Sequence, residues 1–306
     1  LRKDLLALGY EFTSETDTEV VANQVHYRSK DAPDLLSAVQ RTVAELEGAY
    51  ALVVISESEP ETLVVARQGA PVVLGVGLGE NFVASDVSAL LPVTRKFIFL
   101  EEGDVARLTR EKIEIFDVQG NPVERPVRES ELSNDAVERG TFRHYMLKEI
   151  YEQPIAVANT LSERISKKRV LPEAFGAAAP AVFEKIENVD IVACGTSYHA
   201  AMVARYLIEE LCRIPCRVDI ASDYRYRNPV VPKNTLFVTI SQSGETADTL
   251  AALRLARQAG YVSTLAICNV PESSLVRESQ LVMLTRAGPE IGVASTKAFT
   301  TQIAAL

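Results

Sequence analysis

The sequence predicts an α/β protein in two parts, a layered α+β domain followed by a doubly wound parallel-sheet domain. Three observations carry this expectation. Short apolar segments bounded by Pro, Gly and acidic turns crowd residues 49–118. From residue 189 onward, apolar segments alternate with helical ones. Between the two stretches the charge changes: residues 1–134 hold 13 Lys/Arg against 23 Asp/Glu, and the remainder 19 against 18, so the net −9 belongs to the first part.

At 306 residues the chain is long enough for two cores. With 47% hydrophobic and 24% charged residues, it has the balance of a folded protein and not of a disordered one. No stretch approaches the roughly 20 unbroken apolar residues of a membrane span, and an acidic total argues against a general nucleic-acid binder. The four cysteines, Cys194, Cys212, Cys216 and Cys268, match no zinc or C-x-x-C spacing. They are expected to be buried thiols in a reducing cytoplasm, with no metal site and no cofactor. Leu1 already falls in a helical pattern with Leu5, Leu6 and Leu8, and the helical segment 296–306 ends without a Gly or Asn stop. The expectation is an internal piece of a longer chain.

In order along the first part, 34–46 has helical periodicity through Leu35, Leu36, Val39, Val43 and Leu46, and Gly48 ends it. Strands are expected at 49–55, 62–67, 71–76, 81–84, 96–100, 104–109 and 112–118. Residues 14–19 (SETDTE) read as a polar, acidic helix start. Residues 126–141 are polar without periodicity and read as a linker. Beyond them, helices are expected at 146–165, 197–211 and 245–258, with strands at 189–194, 216–220, 235–241, 263–268 and 281–285.

Two strand-to-helix turns are rich in hydroxyls: 193–197 (ACGTS) and 241–246 (SQSGET). Helix starts offer unpaired N–H groups and the positive end of a dipole, which suits a phosphate. Ser241, Ser243 and Thr246 add hydroxyl donors, and Gln242 adds an amide. Neither turn is a Walker A loop or a G-x-G-x-x-G, so a small phosphorylated ligand is favoured over a nucleotide. Helix capping by the same residues stays open at this point. Lys297 reads as a solvated lysine and His199 as a surface or capping histidine.

The same stretches carry a resemblance. The runs 14–20 (SETDTEV), 97–104 (FIFLEEGD), 144–154 (HYMLKEIYEQP), 193–198 (ACGTSY), 241–250 (SQSGETADTL), 267–271 (ICNVP) and 290–301 (EIGVASTKAFTT) occur in that order. With them the chain resembles the glucosamine-6-phosphate synthases, glutamine–fructose-6-phosphate aminotransferases (isomerizing). The resemblance implies a partial N-terminal-nucleophile glutaminase domain at 1–133, a linker at 134–142, and a first sugar isomerase (SIS) domain at 143–306 whose end is truncated. It implies that Asp17 binds glutamine, and that Thr196, Ser197, Ser241, Gln242, Ser243 and Thr246 hold fructose-6-phosphate. Cys194, Gly195, Val293 and Ser295 would line the same pocket, and Glu290 lies near it without an assigned role. The nucleophilic cysteine and the second SIS domain of the family fall outside this sequence, so no catalytic residue is expected within it. The implied partners are glutamine, fructose-6-phosphate and a second copy of the full-length enzyme, with neither nucleic acid nor membrane. A non-catalytic SIS-domain sensor and an amidotransferase acting on phosphoribosyl pyrophosphate are the rival readings. The acidic, strand-rich first part weighs against the sensor, and the hydroxyl-rich turns weigh against the other amidotransferase.

Overall fold

The computed structural model describes residues 1–130, 139–166 and 169–306. The chain divides into two compact units, Leu1–Asn134 and Asp135–Leu306. Residues 134–138 of the expected linker lie outside the described residues.

The first unit opens with helices α1 (Arg2–Ala7), α2 (Asp17–Ser29) and α3 (Leu35–Val43). Strands β1 (Tyr50–Val54), β2 (Leu63–Gln68), β3 (Val73–Val76), β4 (Asn81–Ala84), β5 (Lys96–Phe99), β6 (Val105–Leu108), β7 (Ile113–Phe116), β8 (Pro122–Val123) and β9 (Val127–Glu129) follow. They form two antiparallel sheets, ordered β1-β2-β6-β7-β8 and β4-β3-β5-β9. Strand β2 shows why the layers form. Its side chains alternate between faces, so Val64 and Ala66 pack with Val25, Leu35 and Val39 of the helices, while Val65 packs with Leu74 and Ile98 of the second sheet.

Capping fixes both helix starts. The Asp34 carboxylate accepts the Ser37 amide at 2.8 Å and opens α3. At α2 the Thr16 hydroxyl accepts the Glu19 amide, and the Glu19 carboxylate reaches back to the amides of Thr13 (2.8 Å) and Ser14 (2.7 Å). The carboxylate thus bonds two and three residues ahead of the N-cap, while the Thr16 amide donates to the Ser14 hydroxyl at 3.3 Å. Asp17 is the first residue of α2 and exposed, with Oδ1 accepting the Thr18 amide at 2.8 Å. The 97–104 run makes the turn from β5 into β6, where buried Asp104 accepts two bonds from Arg125 at 2.9 Å and the Glu101 amide at 2.7 Å.

One expectation fails here. Within the presumed linker 126–141, Val127–Glu129 is a strand, with Phe97 opposite Arg128 in the ladder. All three residues are exposed, so backbone pairing holds them and no apolar alternation marks them in the sequence.

The second unit runs α4 (Tyr145–Leu161), α5 (Ala179–Phe183), β10 (Asn188–Ala193), α6 (Gly195–Leu207), β11 (Cys216–Ile220), α7 (Ala221–Tyr224), β12 (Thr235–Ser241), α8 (Ala247–Ala256), β13 (Ser263–Cys268), α9 (Ser274–Glu278), β14 (Leu281–Leu284) and α10 (Lys297–Ala305). Its five strands are all parallel, ordered β11-β10-β12-β13-β14. Helices cover both faces, as such a sheet requires. On one side Ile191, Val238 and Ile267 pack with Ala201 and Ala204 of α6 and with the end of α10. On the other, Val192, Phe237 and Ala266 pack with α7, α8 and Leu275 of α9. Buried Asp190 is satisfied by the Arg217 guanidinium and by the Tyr261 hydroxyl at 2.7 Å. Among the described residues no helix is long and apolar enough to cross a membrane.

The cysteines differ from one another, against the expectation of four buried thiols. Cys216 and Cys268 are buried, Cys194 is half-buried and Cys212 is exposed, and all four are free. Past Leu207 the helix widens into a π turn over Ile208–Cys212, and Cys212 closes that turn on the surface.

Two outcomes follow. Bonds from the Ser14 hydroxyl and the Thr13 amide hold the Glu19 carboxyl at about 2, against an ordinary 4.5. A carboxyl depressed in the folded state lends stability that is complete above pH 4.5 and drains away as pH falls through about 2. A carbon-13 titration of the Glu19 carboxyl will show its midpoint near 2, and a midpoint at the ordinary value would mean that the cap does not form. Burial pushes the Cys216 thiol up to about 12 and the Cys268 thiol up to about 11. A thiol reagent at pH 8 is therefore expected to modify Cys212 in the native protein and to spare Cys216 and Cys268 until unfolding, read by peptide mapping.

Candidate functional site

Strands β10 and β12 lie side by side, with Ala193 opposite Ile240. Cys194 and Ser241 therefore leave the sheet as neighbours. From β10 the chain passes through α6 to β11 on one side, and from β12 through α8 to β13 on the other. The carboxyl ends of β10 and β12 are thus the switch point of the sheet, where a crevice opens between diverging connections.

Two helix N-termini face this crevice. Helix α6 follows Cys194 and α8 follows Thr246, and neither N-cap side chain bonds to its helix. The capping alternative left open by the sequence does not describe these turns. Instead the serines fold the second turn as acceptors: Ser241 Oγ takes the Gly244 amide at 2.9 Å and Ser243 Oγ takes the Glu245 amide at 3.2 Å. An accepting hydroxyl keeps its own hydrogen, and the Ser241 and Thr246 hydroxyls lie 3.4 Å apart. The hydroxyls of Thr196 and Ser197 and the side-chain amide of Gln242 have no bond to another described residue.

Gly195 and Gly244 make the turns possible, at φ +56° and +69°. At Gly244 space decides as well. A Cβ there would sit 2.7 Å from Cys268 Sγ and closer still to Ser273 Oγ. Glu245 anchors this side by accepting the Ser274 amide at 2.7 Å, the first of α9.

The turns enclose a cavity of about 380 Å³. Cys194, Gly195, Thr196, Ser197, Ser241, Gln242, Ser243, Thr246, Val293 and Ser295 all line it. All ten positions that the resemblance assigns to the sugar-phosphate pocket are therefore brought together. Ile240 and Ala294 complete the lining; each sits one residue from a named position, and no pattern in the sequence marked them. Asp17 belongs to the first unit and is no part of this cavity. His199 is exposed on α6.

The third wall is the segment between β14 and α10. Glu290, which had no assigned role, ties it down: Oε1 accepts the Thr296 and Ala298 amides at 2.8 and 3.1 Å, and Oε2 accepts the Ser295 hydroxyl at 3.1 Å. The glutamate thereby caps α10 from upstream. Lys297 corrects another expectation, because it is buried at 2% exposure and not solvated. Its ammonium meets the Glu152 carboxylate at 2.6 Å. That partner lies 145 residues earlier in the chain, which is why the sequence gave no sign of it.

Among the described residues no Lys, Arg, His, Asp or Glu lines the cavity. Negative charge entering it would meet main-chain amides, two helix dipoles and hydroxyl hydrogens. Such a lining has the donors that suit an anionic ligand, and Cys194 is its one side chain with a thiol.

Comparison with known proteins agrees with both halves. A model of the glutamine amidotransferase domain matches residues 1–92, and one of the SIS domain matches residues 183–306. Over all 306 residues the chain is 61% identical to a glutamine–fructose-6-phosphate aminotransferase (isomerizing) of Idiomarina loihiensis and 59% identical to that of Shewanella oneidensis. Over its whole length the chain is thus similar to glutamine–fructose-6-phosphate aminotransferases. It spans about half the length of the curated relatives it matches, 50% of each of these two. A solved C-terminal domain of glucosamine-fructose-6-phosphate aminotransferase from Francisella tularensis aligns with a TM-score of 0.54 at 54% identity, covering 55% of this chain and 47% of that one. The second unit is thus an SIS domain, and the first carries a glutamine-amidotransferase portion.

Replacing Gly244 by alanine is expected to cost about 2 kcal/mol or more, from the left-handed backbone together with the clash. Urea unfolding measures it, and a variant as stable as the parent would show that the turn is not packed as described.

Proposed function

We propose that the second unit binds fructose-6-phosphate, and that the whole protein uses glutamine to convert this ketose phosphate into glucosamine-6-phosphate. The observation that carries the reading is the cavity at the β10/β12 switch point, where two helix N-termini without side-chain caps meet a ring of hydroxyls and no charged side chain. A phosphate dianion satisfies the open amides and the spare hydroxyl hydrogens together. Thr196, Ser197, Ser241, Gln242, Ser243 and Thr246 hold the sugar phosphate in this reading, most of them through its phosphate, and Cys194, Gly195, Val293 and Ser295 line the pocket. A cavity of about 380 Å³ suits a hexose phosphate.

In the whole reaction, hydrolysis of the glutamine amide releases ammonia. The ammonia displaces the carbonyl oxygen of the ketose as water, and a proton shift then gives the amino aldose. Asp17 is assigned to the α-ammonium group of glutamine, supported by its exposed carboxylate at the first position of α2. Among the described residues the cavity lining holds no Lys, His, Asp or Glu, and in this reading it serves to bind the sugar phosphate. The domain reading keeps a glutaminase portion at 1–133, a linker at 134–142 and an SIS domain at 143–306, and the division of the chain at Asn134 supports it. A homodimer of the full-length enzyme is supported by apolar side chains exposed on α4 and α6, among them Tyr151 (68%), Ile155 (66%) and Tyr206 (69%). Four free thiols support a cytoplasmic location.

Calorimetric titration with fructose-6-phosphate is expected to give a one-site isotherm, weakened about tenfold in Ser243→Ala by the loss of one hydrogen bond to a charged group. Equal affinities in parent and variant would overturn the site.

A further inference from the structure

The run HYMLKEIYEQP at residues 144–154 supplies no residue to the cavity, yet it forms the first turns of α4 and carries two glutamates that reach the third wall from behind. Glu149, only 2% exposed, accepts the amides of Ile291 (2.6 Å) and Gly292 (3.0 Å) on a single oxygen, Oε1. The next residues, Val293, Ala294 and Ser295, line the cavity. One turn further along α4, Glu152 holds Lys297 at 2.6 Å, just beyond the same segment. Upstream, the Asn269 side chain clasps the chain at Ala287 N (2.7 Å) and Gly288 O (2.8 Å).

The second oxygen of Glu149 is buried and has no partner among the described residues. A buried carboxylate oxygen left unmatched is costly, and the loop is nevertheless drawn tightly over it. A Cβ on Gly292 would sit 2.6 Å from that oxygen. Glycine at 292 and glutamate at 149 are thus fitted to each other, and what the pair fixes is the position of the wall.

We propose that Glu149 is a positioning residue for the sugar-phosphate cavity, acting through its two bonds to Ile291 and Gly292 to hold the Val293–Ser295 wall against the turns that follow β10 and β12. The proposal rests on the reading of the cavity as a sugar-phosphate site. Its physical content is preorganisation: a wall held before the ligand arrives need not be ordered by binding. Only acceptance by Oε1 is needed, so a glutamine, which keeps one carbonyl oxygen, can do the same work, and an alanine cannot.

The test combines fructose-6-phosphate titration with amide hydrogen exchange on this chain. Glu149→Ala is expected to weaken binding about tenfold and to speed exchange at Ile291 and Gly292 by a similar factor, the loss of two bonds to a charged acceptor. Glu149→Gln is expected to restore both to within about twofold of the parent. Gly292→Ala, which pushes the segment off the glutamate from the other side, is expected to reproduce the alanine effect. It also serves as the second test if Glu149→Ala fails to fold. Ser243→Ala should weaken binding while leaving exchange at Ile291 and Gly292 unchanged, which separates the wall from the phosphate turns. Parent-like affinity in Glu149→Ala or Gly292→Ala, or a glutamine variant as weak as the alanine one, would overturn the positioning role. Failure of the parent chain to bind fructose-6-phosphate would instead overturn the cavity reading and the proposal with it.

Discussion

The pairing of β10 with β12 is the constraint from which the site descends. A parallel sheet lets neighbouring strands end at the same level only when their register permits it, and here Ala193 stands opposite Ile240. The chain must leave each strand and enter a helix on the sheet's own face, and β11 lies on one side of this pair while β13 lies on the other. The two departing turns therefore diverge and leave their first amides facing a common space. A one-residue slip would invert the faces of β12 and bury Phe237 on the wrong side, so the apolar packing of the sheet also enforces the alignment of the turns.

The parallel sheet was largely legible in the sequence, and for a physical reason. Strands buried on both faces are nearly continuous apolar runs, and Thr235–Ser241 and Ser263–Cys268 fall where such runs do. The strands of the first unit were located with ends off by a residue or two, because ladders fray there. The pieces that went unread are short. Helices α5, α7 and α9 have four or five residues each, too few to display a period, and β8 and β9 are held by backbone bonds that side chains do not announce.

The cavity was legible in part. Its two turns after β10 and β12 stood out as hydroxyl-rich breaks after apolar strands, a local signal. Its third wall did not stand out. Val293 and Ser295 came only through resemblance, because their role depends on where the segment after β14 is held, and its holders are Asn269, Glu149 and Glu152, distant in sequence. Lys297 was misjudged for the same cause. A lysine next to a helix start looks solvated until a glutamate from another helix neutralises it.

That neutralisation bears on how the site handles charge. A lysine in the first turn of α10 opposes the helix dipole, and buried there it needs an anion. The ion pair with Glu152 satisfies it at a distance of 2.6 Å, and among the described residues no cationic side chain lines the cavity. In the proposed reading, anion binding rests on amides and hydroxyls, whose direction is fixed by the turns, and not on a flexible cationic side chain that would attract any anion from any angle. Fixed donors discriminate by geometry, since a ligand that does not place its oxygens where the amides point leaves them unmatched. A cradle of this kind selects a phosphate carried at one end of a molecule of definite length, and the wall held by Glu149 and Glu290 sets how much of the rest of that molecule the cavity accepts.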